Sequence, residues 1–161
     1  MQRHSHVRNK LKTILCLAVI VFIGLQFFNP PRVNPPVKND FIAGIKPPSP
    51  IASTLRAACY DCHSHETVWP FYSCVAPVSW LVAADVSGGR ERLNFSDWPK
   101  DPELAAKKLD RIYETLDYRE MPPGKYTIIH AAARLAESSR KELMEWAEAE
   151  SRRLNPPSLD K

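Results

Sequence analysis

Apolar positions after residue 48 recur at helical spacing, and this pattern predicts four helices. The first is predicted to begin with Ser49 as its N-cap and Pro50 at its first helical position. Its apolar positions share one face, at spacings of i, i+4, i+7, i+8 and i+11: Ile51, Leu55, Ala58, Cys59 and Cys62. That face therefore combines apolar side chains with two thiols.

The other three predicted helices carry comparable stripes. The second starts near Pro77 and is expected to end at Gly88-Gly89, the third follows Asp101-Pro102, and the fourth spans about Glu137 to Arg153. The positions expected to face the core are Val78, Leu81, Val82 and Val86, then Ala105, Leu109, Ile112, Tyr113 and Leu116, and finally Leu143, Trp146 and Ala147. No segment alternates with a period of two, so the sequence predicts an all-α domain.

An apolar run occupies residues 11–28, close to the shortest length that spans a bilayer, about 17 residues. Four bases precede its apolar core: Arg3, Arg8, Lys10 and Lys12. The positive-inside rule then predicts a single-pass anchor in the cytoplasmic membrane, with a basic tail (1–10) in the cytoplasm and the remaining chain on the periplasmic side. A cleaved signal peptide is the alternative, but "LQFFNPP" lacks the small residues of a cleavage site.

Charge and proline content describe the rest of the chain. The formal net charge of +4 comes from those four bases, since 18 basic residues balance 18 acidic ones after residue 12. A neutral body predicts no nucleic-acid partner. Residues 29–50 hold seven of the 15 prolines, which predicts a semi-rigid spacer at 29–48. A domain at 49–155 and a short tail at 156–161 complete the predicted organisation.

The chemistry is concentrated in "CYDCH", where Cys59, Cys62 and His63 follow the C-x-x-C-H pattern of covalent haem attachment. On one helical turn, residues i, i+3 and i+4 lie on the same side. Both thiols can then reach vinyl groups on one porphyrin edge, and His63 can bind the iron. Haem delivery outside the cytoplasm agrees with the predicted orientation of the anchor.

Two other interpretations of these cysteines are open. A thioredoxin-like thiol pair would need a helix that follows a strand, and no βαβ pattern is present. A structural zinc site could take Cys59, Cys62 and Cys74 with His63 or His65, but no second C-x-x-C follows. Outside such a site, Cys74 is expected to be a small buried apolar residue.

The second axial position of a haem iron needs its own ligand, and Met121 in "YREMPPGKY" is the main candidate. Met121 lies 58 positions after His63, and Pro122 directs it out of helical geometry. His65 and His130 are alternative ligands. The second nitrogen of His63 is expected to donate to a backbone carbonyl near Pro70 or Pro77. Possible donors to haem carboxylates are Arg90, Arg92, Trp98 and Tyr126.

Three stretches together resemble the bacterial haem-binding domain family: "CYDCHSHETVWPFYS", "APVSWLVAADVSGGRERLNFSDW" and "EMPPGKY". The resemblance covers roughly residues 50–148. It implies a cytochrome c-like helical fold, one covalent haem c per chain at Cys59 and Cys62, and His63 as the proximal iron ligand. Met121 matches the methionine of the family's M-P motif. Near His130 the sequence differs, because alanines stand where more polar residues are expected.

The combined expectation is a membrane-anchored, monohaem c-type cytochrome-like protein that carries single electrons between redox protein partners. With protein ligands on both sides of the iron, a substrate has no access to the metal. A haem sensor or a peroxidase-like enzyme with an open sixth position is the alternative, and a structural zinc module is a third.

Overall fold

The structure, a computed structural model, describes residues 2–156 and, within the first helix, side chains from residue 7 onward. Eight α-helices form in this range: α1 (Gln2–Leu25), α2 (Phe41–Ile45), α3 (Ser49–Ala58), α4 (Tyr60–His63), α5 (Val78–Arg92), α6 (Pro102–Asp117), α7 (Gly124–Ile129) and α8 (Glu137–Leu154). No β-strand occurs between residues 2 and 156, where one isolated bridge pairs Asn39 with Asp97. The all-α prediction is confirmed. Met1 and most of the predicted 156–161 tail lie outside the described residues.

The chain divides into two compact units. One contains α1, the stretch up to Arg32 and the segment Trp69–Asp85, and the other contains Val33–Val68 and the chain from Val86 onward. In the first unit, the stretch Val7–Phe28 is long and apolar enough to cross a membrane.

The second unit holds the aromatic and aliphatic core, in which α6 packs against α8. Helix α6 begins as predicted, because Asp101 caps it by accepting a hydrogen bond from the Leu104 amide at 2.9 Å. Its predicted stripe is buried except for the half-buried Tyr113: Ala105, Leu109, Ile112 and Leu116. Each such leucine or isoleucine stabilises the fold by about 1.5–3 kcal/mol through burial.

A short helix that the sequence did not predict lies within the expected spacer. The Asp40 carboxylate caps α2 by accepting a hydrogen bond from the Ala43 amide at 2.7 Å. Phe41 is completely buried, with its ring centroid 5.1 Å from that of Phe95 and 4.4 Å from that of Trp98. This part of the predicted semi-rigid spacer at 29–48 therefore belongs to the core.

Helix boundaries differ from the prediction at three places, one of which is the break at Cys59 between α3 and α4. Pro48, not Ser49, occupies the N-cap of α3, and no side chain caps that end. Helix α5 runs through Gly88 and Gly89 and ends at Arg92, since one glycine costs a helix only about 1 kcal/mol.

The stripe predicted to face inward on α5 is buried only in part. Val86 is buried, but Val78 is 41% exposed and Leu81 is 63% exposed. For Val78 and Leu81 the prediction of a core position was wrong.

Candidate haem site

The Cys-x-x-Cys-His motif occupies the junction between α3 and α4. Cys59 leaves helical geometry, with φ −126° and ψ −36°, and this change separates the two helices. Its carbonyl oxygen accepts hydrogen bonds from the amides of Cys62 at 3.2 Å and His63 at 2.9 Å. The motif therefore forms one turn in which two amides share the Cys59 carbonyl as their acceptor.

A cavity of about 370 Å³ opens beside this turn, within the second unit. Its wall is largely apolar, with Ala58, Leu93, Phe95, Ile112 and Leu116, and its polar lining residues are Arg92, Arg111, Thr115 and Glu120. Cys59, His63 and Met121 complete the lining. The structure thus brings three of the four predicted site residues to one cavity of a size typical for ligands, about 300–1,000 Å³. Cys62 does not line it.

The imidazole of His63 is oriented by the end of α5. Its Nδ1 lies 2.9 Å from the Gly89 carbonyl oxygen and 3.1 Å from that of Leu93. A proton on Nδ1 satisfies these acceptors, which leaves Nε2 as the nitrogen with a lone pair for a metal. A backbone acceptor was predicted, but its place near Pro70 or Pro77 was wrong. Burial also lowers the pKa of His63, so the ring is neutral at neutral pH.

Gly89 allows α5 to approach the motif closely. A Cβ atom at this position would lie 3.0 Å from the Cys62 carbonyl carbon and 3.2 Å from its Cβ atom, and closer still to its carbonyl oxygen. At the neighbouring Gly88, a Cβ atom would meet nothing within 4 Å. The glycine pair that was predicted to end the helix therefore includes one position, Gly89, where any side chain would force the neighbouring backbone to shift.

The state of Cys59 argues against the thioredoxin-like interpretation. Burial, with a smaller contribution from Cys62, raises the pKa of the Cys59 thiol to about 12. A reactive thiol pair requires the opposite shift, toward a thiolate at neutral pH. None of the four cysteines forms a disulfide in the described part of the chain.

The structure also does not support the zinc alternative. Among the side chains that the structure describes, those of residues 7–156, no three His, Cys, Asp or Glu residues form a group that could hold a metal ion. Cys74 is exposed, so its prediction as a buried apolar residue was wrong.

Met121 reaches the cavity from the loop after α6. Its amide donates to the Thr115 carbonyl at 3.2 Å, which folds the loop back onto the helix end. From α8, the Arg140 guanidinium donates to the carbonyl oxygens of Met121 and Leu116, each at 3.1 Å. The loop that carries Met121 is thus attached to two helices.

Neither alternative histidine lines the cavity. The ring of His65 is engaged at both nitrogens, with Nδ1 2.9 Å from the Pro36 carbonyl oxygen and Nε2 2.8 Å from the Asn94 amide nitrogen. His130 stacks on Tyr126 at 4.0 Å between ring centroids.

Among the predicted carboxylate donors, only Arg92 lines the cavity. Arg90 instead donates to four oxygens, those of Val33, Asn34, Ser64 and Thr67. The Tyr126 hydroxyl donates to the Asp61 carboxylate at 2.6 Å, and Trp98 is buried in the aromatic core.

Sequence reasoning missed Arg111 and Glu120, the other two charged residues of the cavity wall. Arg111 precedes the buried Ile112, so it lies at the edge of the α6 stripe. Glu120 directly precedes Met121 in the sequence. The available sequence signal for Arg111 and Glu120 is that each lies next to a buried or candidate ligand residue. Many charged surface residues have the same signal, so it is not specific.

Comparisons with known proteins identify the family of the chain. The haem-binding domain family matches residues 20–149. The chain is also 25% identical over 92 residues to the cytochrome c peroxidase Ccp of Escherichia coli (strain K12). That match covers 55% of this chain and 20% of the relative, so the chain spans about a fifth of the relative's length. No solved structure gives a significant match. The chain belongs to the haem-binding domain family.

Proposed function

We propose that the protein is a membrane-anchored monohaem c-type cytochrome-like protein that carries single electrons. The observation that carries this proposal is the shared cavity: His63 and Met121, 58 positions apart, line it together with Cys59. A nitrogen ligand and a thioether from separate segments form the donor pair typical of electron-carrying cytochromes c.

The residues around the cavity fit a haem. Its apolar wall suits the macrocycle, and the neutral His63 presents Nε2 as a ligand while its other nitrogen is held by α5. Arg92 and Arg111 would pair with the two carboxylates of the group. The fit to haem therefore rests on an apolar wall, a histidine nitrogen and two arginines that line the same cavity.

Covalent attachment would use Cys59 and Cys62. Each thiol would add across one vinyl group, with the sulfur bonding to one vinyl carbon and the thiol hydrogen passing to the other. No atom leaves, and neither partner needs an external oxidant or reductant.

When bound, haem supplies an iron that alternates between its ferric and ferrous states, one electron at a time. The chain's own part is to supply ligands and exclude water. His63 would bind the iron through Nε2, in the tautomer fixed by the Gly89 and Leu93 carbonyls. Met121 would supply a soft thioether sulfur, which favours the reduced state. Leu93, Phe95 and Ile112 keep the site apolar.

We extend the proposal to location. Residues 11–28 would anchor the chain in the cytoplasmic membrane with the haem domain on the periplasmic side, in agreement with the apolar stretch Val7–Phe28. Redox protein partners would meet the domain there.

Haem staining after denaturing electrophoresis tests the attachment. The full chain is expressed with a cytochrome c maturation system, and we expect a stained band with the intact mass of one covalent haem. Replacing both Cys59 and Cys62 by alanine should abolish the stain, whereas Cys74→Ala should keep it. A colourless wild-type protein contradicts the proposal.

The absorption spectrum tests the ligand pair. Met121→Ala should keep the stained band but remove the sulfur-to-iron charge-transfer band of the oxidised protein. If that band is absent from the wild-type protein, Met121 is not an axial ligand.

A peroxidase-like enzyme is the second candidate, because the similar Escherichia coli protein is named a cytochrome c peroxidase. Glu120 and Arg111 also line the cavity and would place an acid–base group and a cation near a bound peroxide. This candidate predicts a high-spin, five-coordinate spectrum that changes on addition of peroxide. The electron carrier predicts a six-coordinate spectrum that does not.

A further inference from the structure

The segment Trp69–Asp85 of the first unit has an unusual surface. Residues 67–84 contain no charged side chain, although charged residues make up 25% of the whole sequence. Several of its large apolar side chains are nevertheless exposed, at fractions from 37% to 85%: Phe71, Val75, Val78, Trp80 and Leu81. Exposed apolar groups concentrated in one short, uncharged segment are typical of contact surfaces. We refer to these five side chains as the apolar patch.

The patch belongs to a segment that is hydrogen-bonded to the end of the predicted anchor. Gln26 forms a reciprocal pair with the backbone of Ala76, donating to its carbonyl at 3.2 Å and accepting from its amide at 2.9 Å. The Trp80 indole nitrogen donates to the Phe28 carbonyl at 2.9 Å, and the Ser79 hydroxyl donates to the Asn29 side chain.

Arg32 adds a further connection by donating to the Ser73 carbonyl at 3.1 Å. These bonds attach residues 73–80 to residues 26–32, directly at the end of the apolar stretch Val7–Phe28.

This attachment sets the depth of the patch if residues 11–28 cross a membrane. A helix rises 1.5 Å per residue, so Gln26 and Phe28 lie within about one turn of the end of the hydrophobic span. Groups bonded to them lie at the boundary between acyl chains and headgroups. Phe27 and Phe28, 85% and 74% exposed, are at the same level, and aromatic side chains are enriched at that boundary.

We propose that the apolar patch is a lipid contact, in which Phe71, Val78 and Leu81 insert into the outer boundary of the bilayer beside the anchor. The inference rests on the anchoring part of the proposed function. A phospholipid surface is favoured over a protein partner for two reasons. The segment that carries the patch is hydrogen-bonded to the end of the apolar stretch, and it lacks the charges of a polar rim.

The outer surfaces of α6 and α8 differ from the patch. Exposed ion pairs cover them, such as Lys107 with Glu103 at 2.7 Å and Lys141 with Glu145 at 3.6 Å. These helices are suited to water, and Lys141 therefore offers a matched control position.

Site-specific photocrosslinking of the full chain in bacterial membranes tests the proposal. The photoreactive residue p-benzoylphenylalanine replaces Phe71 or Leu81 in the patch, Phe22 in the anchor as a positive control, and Lys141 in α8 as a negative control. After irradiation, intact mass spectrometry and gel mobility identify the partner. We expect the mass to increase by one phospholipid when the photoreactive residue is at position 71, 81 or 22. We expect no such adduct at position 141.

The other results overturn the proposal and name the actual occupant. A crosslinked dimer from position 71 or 81 would show that a second copy of the chain covers the patch. An adduct with another polypeptide would identify a protein partner. If positions 71 and 81 give no adduct while position 22 gives a lipid adduct, the patch is exposed to water. No lipid adduct at Phe22 removes the anchor and the patch proposal together. A protein that lacks covalent haem but forms lipid adducts at 71 and 81 would contradict the electron-carrier proposal alone.

Discussion

The sequence predicts an apolar stripe of helical period on both α5 and α6, but the two stripes are buried to different extents. On α6, Leu109 is completely buried and Ile112 is 6% exposed. On the first half of α5, Val78 and Leu81 remain 41% and 63% exposed. Periodicity therefore identifies a helix and its apolar face, but it does not identify what covers that face.

The uncovered face on α5 also has a different composition around it. Charged residues flank the α6 stripe, whereas α5 has none between Val78 and Ala84. A stripe with charged flanks is typical of a helix at a protein–water boundary. One without them suits a helix whose exposed side meets an apolar phase.

The largest expected effect separates these two stripes directly. Leu109→Ala should lower the free energy of unfolding by about 2–5 kcal/mol, because it leaves a cavity in the α6–α8 core. In detergent micelles, Leu81→Ala should change it by no more than about 0.5 kcal/mol. Denaturant titration followed by circular dichroism measures both. Equal losses would show that the α5 stripe is packed as tightly as the α6 stripe.

A second prediction concerns the α6 end of the comparison, where Arg140 holds the Met121 loop. Arg140→Ala removes the charged donor to the carbonyl oxygens of Leu116 and Met121. It should lower the free energy of unfolding by about 1.5–3 kcal/mol. It should also shift the absorption spectrum toward that of Met121→Ala, since the loop loses its attachment to α8.

The matched control for Arg140 is its neighbour. Lys141→Ala breaks only an exposed pair with Glu145 and should change stability by about 0.5 kcal/mol or less. An unchanged spectrum in Arg140→Ala would contradict its positioning role.

The third prediction sharpens the comparison within α5, between adjacent glycines. Gly89→Ala should cost about 1–3 kcal/mol, because the new methyl group overlaps the backbone of Cys62. It should also reduce the haem-stained fraction. Gly88→Ala has open space and should instead stabilise the helix by about 0.5–1 kcal/mol. Similar effects for both variants would rule out the close approach.

Sequence reasoning succeeded where local signals were complete. Helix α6 could be predicted because the Asp101 cap, Pro102 and the apolar stripe agree with one another. Haem chemistry requires particular residue types, and this requirement identifies Cys59, His63 and Met121, which line one cavity. Haem attachment at Cys59 and iron binding by His63 and Met121 stay predictions.

The failures involve contacts that the sequence does not encode locally. The acceptors of His63 are backbone carbonyls of Gly89 and Leu93, and a carbonyl carries no residue-specific signal. Arg90 has the composition of a ligand-binding arginine but connects loops of its own unit instead. The proline content predicts that Phe41 lies in a spacer, whereas in the tertiary fold its ring packs against Phe95 and Trp98.

The two acceptors of the His63 ring have a consequence for dynamics. The Gly89 carbonyl also accepts the Leu93 amide at 2.9 Å, so fraying of the last turn of α5 would release the imidazole and the helix end together. Hydrogen exchange at the Leu93 amide would then report how often the ring is free to rotate. Variants in which this amide exchanges more slowly would also restrict rotation of the imidazole.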